Sequence, residues 1–224
     1  TVLLPVGVYT RQYSTGTATQ NFGGSGFLFG ARIDGNLWFT KAFFADLGVG
    51  FAYSVYAQSN LAVTPPVATT TGAADLTIFS ARGSLGYTLF LDDDLFGPRG
   101  WAKAGYQSTS YSMLADLASG TGGNSFGSIF LGIGADVPIR GAWGAQLNFD
   151  FGLVNFVDNA ATLAAGNASG PSSISFYLGG YFRLKPRMFL RAGFDFVAHS
   201  ANFASGATLN QRIITFAPSF VYYF

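Results

Sequence analysis

The chain has 224 residues, and only 10% of them are charged, whereas roughly a quarter of an ordinary soluble domain is charged. Its net charge of +1 excludes the basic field that nucleic-acid binding needs. Because cysteine is absent, disulfides, thiol nucleophiles and Cys-based metal sites are excluded as well. Hydrophobic residues make up 49% of the chain, yet no apolar run approaches the roughly 18 residues of a transmembrane helix.

An alternation of period two runs along the chain, as expected for strands whose two faces meet different surroundings. It is clearest at residues 43–56, where one face is apolar and the other carries small or polar residues. The second face lacks the many Lys, Glu and Thr of a water-exposed sheet, which favours a wall between lipid and a narrow interior. Such segments predict about ten strands, at residues 2–13, 22–40, 43–57, 75–90, 101–114, 125–138, 142–157, 173–184, 188–202 and 210–224.

The connections between these segments alternate in length. Tight ones near residues 40–41, 138–141 and 185–187 alternate with longer stretches such as 58–74 and 158–172. The connection at 91–100 departs from this rhythm, because it is long for a turn and holds three consecutive Asp residues. The sequence therefore predicts an all-β fold: one integral membrane, antiparallel, up-and-down β-barrel that comprises residues 1–224 as a single domain.

Charged residues fall on the predicted inner face, since a Lys or Arg that faced lipid at mid-membrane would cost roughly 2–4 kcal/mol. We expect them to form an ion-paired belt in the half of the lumen nearer the short connections. Two roles are open: pairing that fixes the strand register, or a selectivity filter. The expected belt comprises Arg32, Asp46, Arg82, Lys103, Asp136, Asp150, Arg183, Arg191 and Asp195.

Bulky aromatic residues also fall on the inner face, among the small ones. Since about eight strands give a filled interior and about sixteen a water channel, ten strands with such fillers predict a closed or very narrow lumen. The predicted fillers are Trp38, Phe44, Phe130, Tyr177, Tyr181 and Phe189.

The end of the sequence carries the most specific local pattern, in which Phe220, Tyr222 and Phe224 alternate and the last residue is aromatic. It resembles the C-terminal signature of bacterial outer-membrane β-barrels; the alternative is an ordinary amphipathic strand. Residues 30–33 and 43–53 are similar to hairpins of small OmpA-like barrels, although the membrane domain of that family usually has eight strands. The resemblance implies an outer-membrane location with periplasmic termini, and as partners outer-membrane lipids and the barrel assembly machinery.

The predicted outer loops, residues 14–21, 58–74, 115–124, 158–172 and 203–209, contain no Lys or Arg. Cationic side chains would be needed there to contact phosphorylated lipopolysaccharide. Either the outer leaflet of the host carries few phosphates, or another protein or a second copy of the chain covers these loops.

His199, the one histidine, falls four residues after Asp195 on the same predicted face. An Asp–His pair could act as a general base, and the ten-stranded omptin proteases use Asp and His at the outer rim. The paired-acid motif of those proteases is missing, however, so a hydrogen-bonded rim histidine is the alternative. No cofactor and no metal site are expected, because neither a nucleotide loop nor ligand spacing is present.

These observations favour a non-enzymatic barrel with a structural or partner-docking role in the envelope, acting through its loops or its lipid-facing aromatic residues. A narrow passive, porin-like channel for ions or small solutes is the alternative. An enzyme, a rim hydrolase or acyltransferase that uses His199, comes third.

Overall fold

A computed structural model describes residues 1–14, 21–60, 67–68, 74–92, 97–113, 123–158 and 166–223. This part of the chain contains no helix that is long and apolar enough to cross a membrane. The strands are β1 (Val2–Leu3), β2 (Val6–Ser14), β3 (Asn21–Trp38), β4 (Phe43–Asn60), β5 (Val67–Ala68), β6 (Ala74–Phe90), β7 (Arg99–Met113), β8 (Asn124–Arg140), β9 (Trp143–Asp158), β10 (Ala168–Lys185), β11 (Met188–Phe203), β12 (Thr208–Phe216) and β13 (Ser219–Tyr222).

The strands form one closed antiparallel barrel. Each long strand pairs with its neighbour in sequence, and the ring closes where β2 pairs with β12 and β1 with β13. The segments β1 and β2 make up one wall strand, β12 and β13 another, and the two-residue β5 only extends the edge of β4. The wall therefore has ten strands, which confirms the predicted fold class.

Proline causes both interruptions at the closing seam, because it has no N–H to donate to the strand ladder. One lies at Leu4–Pro5 and the other at Ala217–Pro218, on adjacent wall strands. The seam stays joined, since Leu4 N donates to the carbonyl of Pro218 (3.1 Å), and on the other side of the same wall strand β3 stays joined through Gly30 N, which donates to the carbonyl of Pro5 (2.9 Å).

The two ends of the barrel differ. The turn end carries the connections at 39–42, 91–98, 141–142 and 186–187 and both ends of the described chain, and the loop end carries the connection at 204–207. The last of these is shorter than the predicted loop 203–209, and β10 begins at Ala168 rather than at 173. Most residues of the other predicted loops, and Phe224, lie outside the described ranges.

The outer face carries an apolar band above the turn end. On β8 the outward side chains from Ile129 to Ile139 are exposed hydrophobic residues, interrupted only by Ala135. At about 3.3 Å per residue and a tilt of about 40°, this stretch spans about 25 Å, the height of the lipid-facing band of outer-membrane barrels.

Toward the loop end the polarity of the two faces inverts. On β7 the outward residues change from Ala104 and Tyr106 to Ser108, Ser110 and Ser112, while Tyr111 is buried inside. The strands β2, β6 and β11 change in the same way. The expected apolar exterior and polar interior therefore hold only for the turn-end part, and the loop-end part has a polar exterior around an apolar core.

A charge-lined cavity beneath an apolar cluster in the lumen

The loop half of the lumen is filled by wall side chains, which form what we call the loop-half cluster. Its members come from eight of the ten wall strands and the connection between β11 and β12, and each is at most 9% exposed. Tyr111 packs edge-to-face against Phe126, with ring centroids 6.5 Å apart. The cluster comprises Tyr9, Tyr13, Leu28, Ala52, Leu76, Ile78, Tyr111, Phe126, Ala201, Phe203, Ala207 and Leu209.

Buried amides tie opposite walls together beside this cluster. Gln211 on β12 and Asn124 on β8 exchange two hydrogen bonds of 3.0 Å, and Gln211 Nε2 also donates to the Tyr9 hydroxyl at 2.8 Å. Buried polar groups are stable when they find such partners. The amide bridge fixes the distance between two walls that share no backbone ladder.

His199 lies against the loop-half cluster rather than at a rim. Its ring is 3% exposed, stacks on Phe126 with centroids 4.7 Å apart, and meets Tyr111 edge-on at 6.0 Å. Neither imidazole nitrogen has a hydrogen-bond partner among the described residues. The expectation of a hydrogen-bonded rim histidine is therefore wrong, and the Asp195–His199 pair that a general base would need does not form.

The turn half of the lumen contains a cavity of about 280 Å³. It reaches the solvent at the turn end, because Asn36 and Trp38 face inward along β3 and are nevertheless exposed. At its inner end it meets Leu28, Ala52 and Ile78 of the loop-half cluster. The cavity is therefore blind, open at the turn end and closed toward the loop end.

Ion pairs line this cavity. Lys103 Nζ lies 3.0 Å from a carboxylate oxygen of Asp150, and the two side chains are 3% and 1% exposed. Asn148 and Ser175 donate further hydrogen bonds to Asp150, at 3.0 and 3.3 Å. A buried carboxylate needs such a set of partners, because an isolated buried charge is very costly.

A second cluster lies on the walls formed by β3 and β6. Asp34 accepts a hydrogen bond from Arg32 Nε at 2.9 Å and lies 3.6 Å from a terminal nitrogen of Arg82. Gly48 on the intervening strand β4 makes this contact possible, because a Cβ there would lie 2.3 Å from Asp34 Oδ1. Gly132 makes room in the same way for the Lys103–Asp150 pair.

Seven of the nine predicted belt residues line the cavity: Arg32, Asp46, Arg82, Lys103, Asp150, Arg191 and Asp195. Asp136 lies beside it, where it pairs with Arg99 at 2.9 Å. Arg183 lies near the turn at 186–187 and is not part of the lining of this cavity. The belt is also not fully ion-paired, because Asp46, Arg191 and Asp195 form no ion pair within 4.0 Å in the described part of the chain.

The predicted aromatic fillers occupy both the mouth and the wall of the turn half. Trp38, Phe44 and Tyr177 line the cavity, and the Lys103 ammonium lies 5.6 Å from the ring centroid of Phe130. Tyr181 and Phe189 pack with Val221 in a small apolar cluster beside the cavity. These six residues narrow the turn half, and the loop-half cluster, which the sequence analysis missed, closes the lumen.

Asp34 and Arg99 also line the cavity, and neither was among the residues predicted from the sequence. Both were identifiable by parity, since Asp34 lies two residues after Arg32 and Arg99 two residues before Trp101, and Trp101 lines the cavity. Asp34 falls near the end of its strand and Arg99 in the atypical 91–100 connection, where the alternation is weakest.

No protein-family model matches the sequence, and no curated protein sequence matches it. Its structure is similar to the outer membrane protease OmpT from Escherichia coli, with a TM-score of 0.56 and 10% identity over 99% of this chain and 96% of that one. The transport unit of the E. coli autotransporter AIDA-I matches at a TM-score of 0.48 and 10% identity, over 100% and 90%. At such identities only the fold is shared, and the similarity to OmpT confirms a barrel of the outer-membrane type.

Proposed function

We propose that this protein is an integral barrel of the bacterial outer membrane that is closed to bulk diffusion and acts structurally or as a dock for other envelope proteins. The observation that carries the proposal is the loop-half cluster, which fills the lumen with packed side chains of the wall itself. Under this proposal the turn end and both termini face the periplasm, as in barrels with short periplasmic turns.

The surroundings of the barrel follow from its outer face. The apolar band would contact outer-membrane lipid, and Phe220 and Tyr222, which point outward on β13, would belong with Phe224 to the signal for the barrel assembly machinery. The polar outer face of the loop-end part would stand clear of the acyl chains. That surface is available to a protein partner or to a second copy of the chain.

Conductance in planar bilayers tests the closed lumen. We expect the purified protein to give no stepwise openings at physiological ionic strength, because buried, packed side chains fill the loop half of the lumen. Regular ohmic steps would support the alternative, a narrow passive channel, which the charge-lined turn half favours. A porin of known conductance, reconstituted in the same way, is the control.

The docking role makes a separate claim about partners. We expect the protein, extracted in mild detergent, to run above the mass of one chain or to carry a bound protein. A monomer that co-purifies with abundant phosphorylated lipid would contradict docking through the loops.

We propose no catalytic role for His199, because its ring packs between aromatic residues and, among the described residues, no acid lies within hydrogen-bond distance. Incubation with a peptide library and with phospholipid should show no turnover. A turnover that the His199→Ala variant abolishes would overturn this assignment.

A further inference from the structure

The charges that line the cavity are nearly balanced, although they are not all paired with one another. Cations and anions alternate around the wall, with Arg32 and Asp34 both on β3 and Arg191 and Asp195 both on β11, and the ion pairs of Asp34 and Asp150 use only part of these charges. A wall of this kind disfavours hydrocarbons, because they make no favourable interaction with charged side chains. It also disfavours ligands of high net charge, because the lining charges of the same sign repel them. It suits a ligand of zero net charge that carries both signs.

The unsatisfied groups are arranged across the lumen. On β11 the Asp195 carboxylate forms neither a hydrogen bond nor an ion pair among the described residues, although it faces the charges of Arg32 and Arg82 from beyond ion-pair distance. On β6 the Arg82 Nε is buried without a hydrogen-bond partner. A carboxylate acceptor and a guanidinium donor are therefore both available, on two walls that the cavity separates.

Two further groups near the turn end repeat the arrangement. Arg191 donates to the hydroxyl of Tyr223 at 3.4 Å, while its Nε is buried without a partner. Asp46 accepts a hydrogen bond from Asn36 and forms no ion pair in the described part of the chain. Both line the same cavity. The open half of the lumen therefore offers free hydrogen-bonding groups at positions that a ligand can reach from the turn end.

Size limits the guest. At about 280 Å³ the cavity is close to the lower bound of small-molecule pockets, which is roughly 300 Å³. Its inner end is closed, so a guest enters and leaves through the turn end. Aromatic rings of Trp38 and Trp101 lie in the wall and offer flat contact surfaces for the uncharged part of a guest.

We propose that this cavity is a binding site for a small zwitterion, an amino acid or a dipeptide, taken up from the side of the turn end. Its ammonium group contacts Asp195, and its carboxylate contacts the guanidinium of Arg82. Both charges of the ligand contribute to binding, because the Asp195 carboxylate can pair only with the ammonium group and the Arg82 guanidinium only with the carboxylate. The site is independent of whether the barrel conducts or docks a partner.

Tryptophan fluorescence of the protein in detergent micelles tests the proposal with L-alanyl-L-alanine as the probe. Two of the three tryptophans line the cavity, whereas Trp143 lies on the outer face, so a saturable signal should survive Trp143→Phe and diminish in Trp101→Phe. N-acetyl-L-alanine and L-alaninamide, which each lack one charge, should bind about tenfold more weakly or worse, because each loses a charge-assisted contact.

Variants locate the site. Asp195→Asn and Arg82→Gln should each weaken dipeptide binding about tenfold or more, whereas Asp158→Asn, an exposed carboxylate on the outer face, should not change it. Val197→Phe keeps every charge and fills the cavity next to Asp195, so it should abolish binding even if a charge variant folds poorly. Titration calorimetry repeats each measurement without relying on tryptophan.

No saturable binding by either method would overturn the proposal. Equal affinity for the dipeptide and its two singly charged analogues would also overturn it, as would undiminished binding by well-folded Val197→Phe protein. Comparing alanine, dialanine and trialanine identifies the length that the cavity accepts.

Discussion

Lys103 and Asp150 show what a single charge contributes inside this barrel. Both side chains are almost completely buried, and the pair is held by the amide of Asn148 and the hydroxyl of Ser175. A buried pair of this kind adds little net stability compared with a well-packed apolar pair. Removing one member is costly, however, because the other charge is left without a partner.

We predict that Lys103→Met lowers the free energy of unfolding by about 3–5 kcal/mol, and that adding Asp150→Leu restores most of the loss. Urea unfolding of the protein in lipid vesicles, followed by tryptophan fluorescence, measures both. The matched control is Lys185→Met at the exposed end of β10, which should cost less than about 1 kcal/mol. Equal losses for Lys103→Met and Lys185→Met would contradict a buried pair.

His199 should behave as a packing residue. His199→Phe retains a flat ring against Phe126 and removes two buried nitrogens that have no partner among the described residues, so stability should stay within about 1 kcal/mol or rise. His199→Ala should cost about 3 kcal/mol, because it leaves a void in the apolar cluster. The same unfolding assay distinguishes the two, and a large loss in His199→Phe would reveal a hydrogen bond to the imidazole.

At the element scale, each strand has an alternation between its two faces, and several strands also have a change in the polarity of those faces along their length. Only the alternation could be predicted from the sequence. The period-two pattern predicted ten strands, their antiparallel order and the inward direction of Arg82 and Asp195, because alternation depends on neighbours along the chain. The inversion on β7 was missed, since Ser108 and Ser110 lie outside the lipid band where an apolar exterior is no longer required. Ion-pair partners such as Lys103 and Asp150 were not predictable either, because the lumen brings together strands that are not neighbours in the sheet.

Cysteine labelling tests the inversion on β7. The chain has no native cysteine, so Ala104→Cys and Ser112→Cys each give a single thiol on the outward face of one strand. In intact cells a membrane-impermeant maleimide should label Ser112→Cys and leave Ala104→Cys unmodified, because lipid covers only the second. Equal labelling, or the reverse order, would contradict the arrangement.

Two cysteine variants on β11 test the same arrangement on a second strand. Asn202→Cys lies in the polar part of the outer face and Ala192→Cys in the apolar band. Labelling of Asn202→Cys in intact cells would also place the loop end outside the cell.

The whole molecule resembles a cup, with its opening at the turn end and a base of packed side chains. No loop needs to fold into the lumen to close it, because the wall residues themselves fill the loop half. The closure is therefore as permanent as the packing, and only mutation or local unfolding should open it.

Removing large side chains from the loop-half cluster should convert the protein into a pore. The triple variant Tyr9→Ala, Tyr111→Ala and Phe126→Ala removes three large rings from the loop-half cluster, and planar-bilayer recordings should then show stepwise openings. A control with Phe149→Ala and Phe151→Ala, which shorten outward rings in the apolar band, should stay silent. Silence of a well-folded triple variant would mean that another layer closes the lumen.

The closing seam has a consequence for how the molecule is built. Every other backbone pairing in the wall joins strands that are consecutive in sequence. At the seam, Val6 pairs with Phe216 and Val2 with Phe220, so the barrel stays open until its last strand is in place. Until then the open sheet has two edge strands. Their backbone N–H and C=O groups are unpaired, and hydrocarbon offers them no hydrogen-bond partners. Truncation after Phe203 removes only the tenth wall strand, yet the remaining nine strands could not close into a barrel. We therefore expect the truncated chain to fail to insert into the membrane and to aggregate.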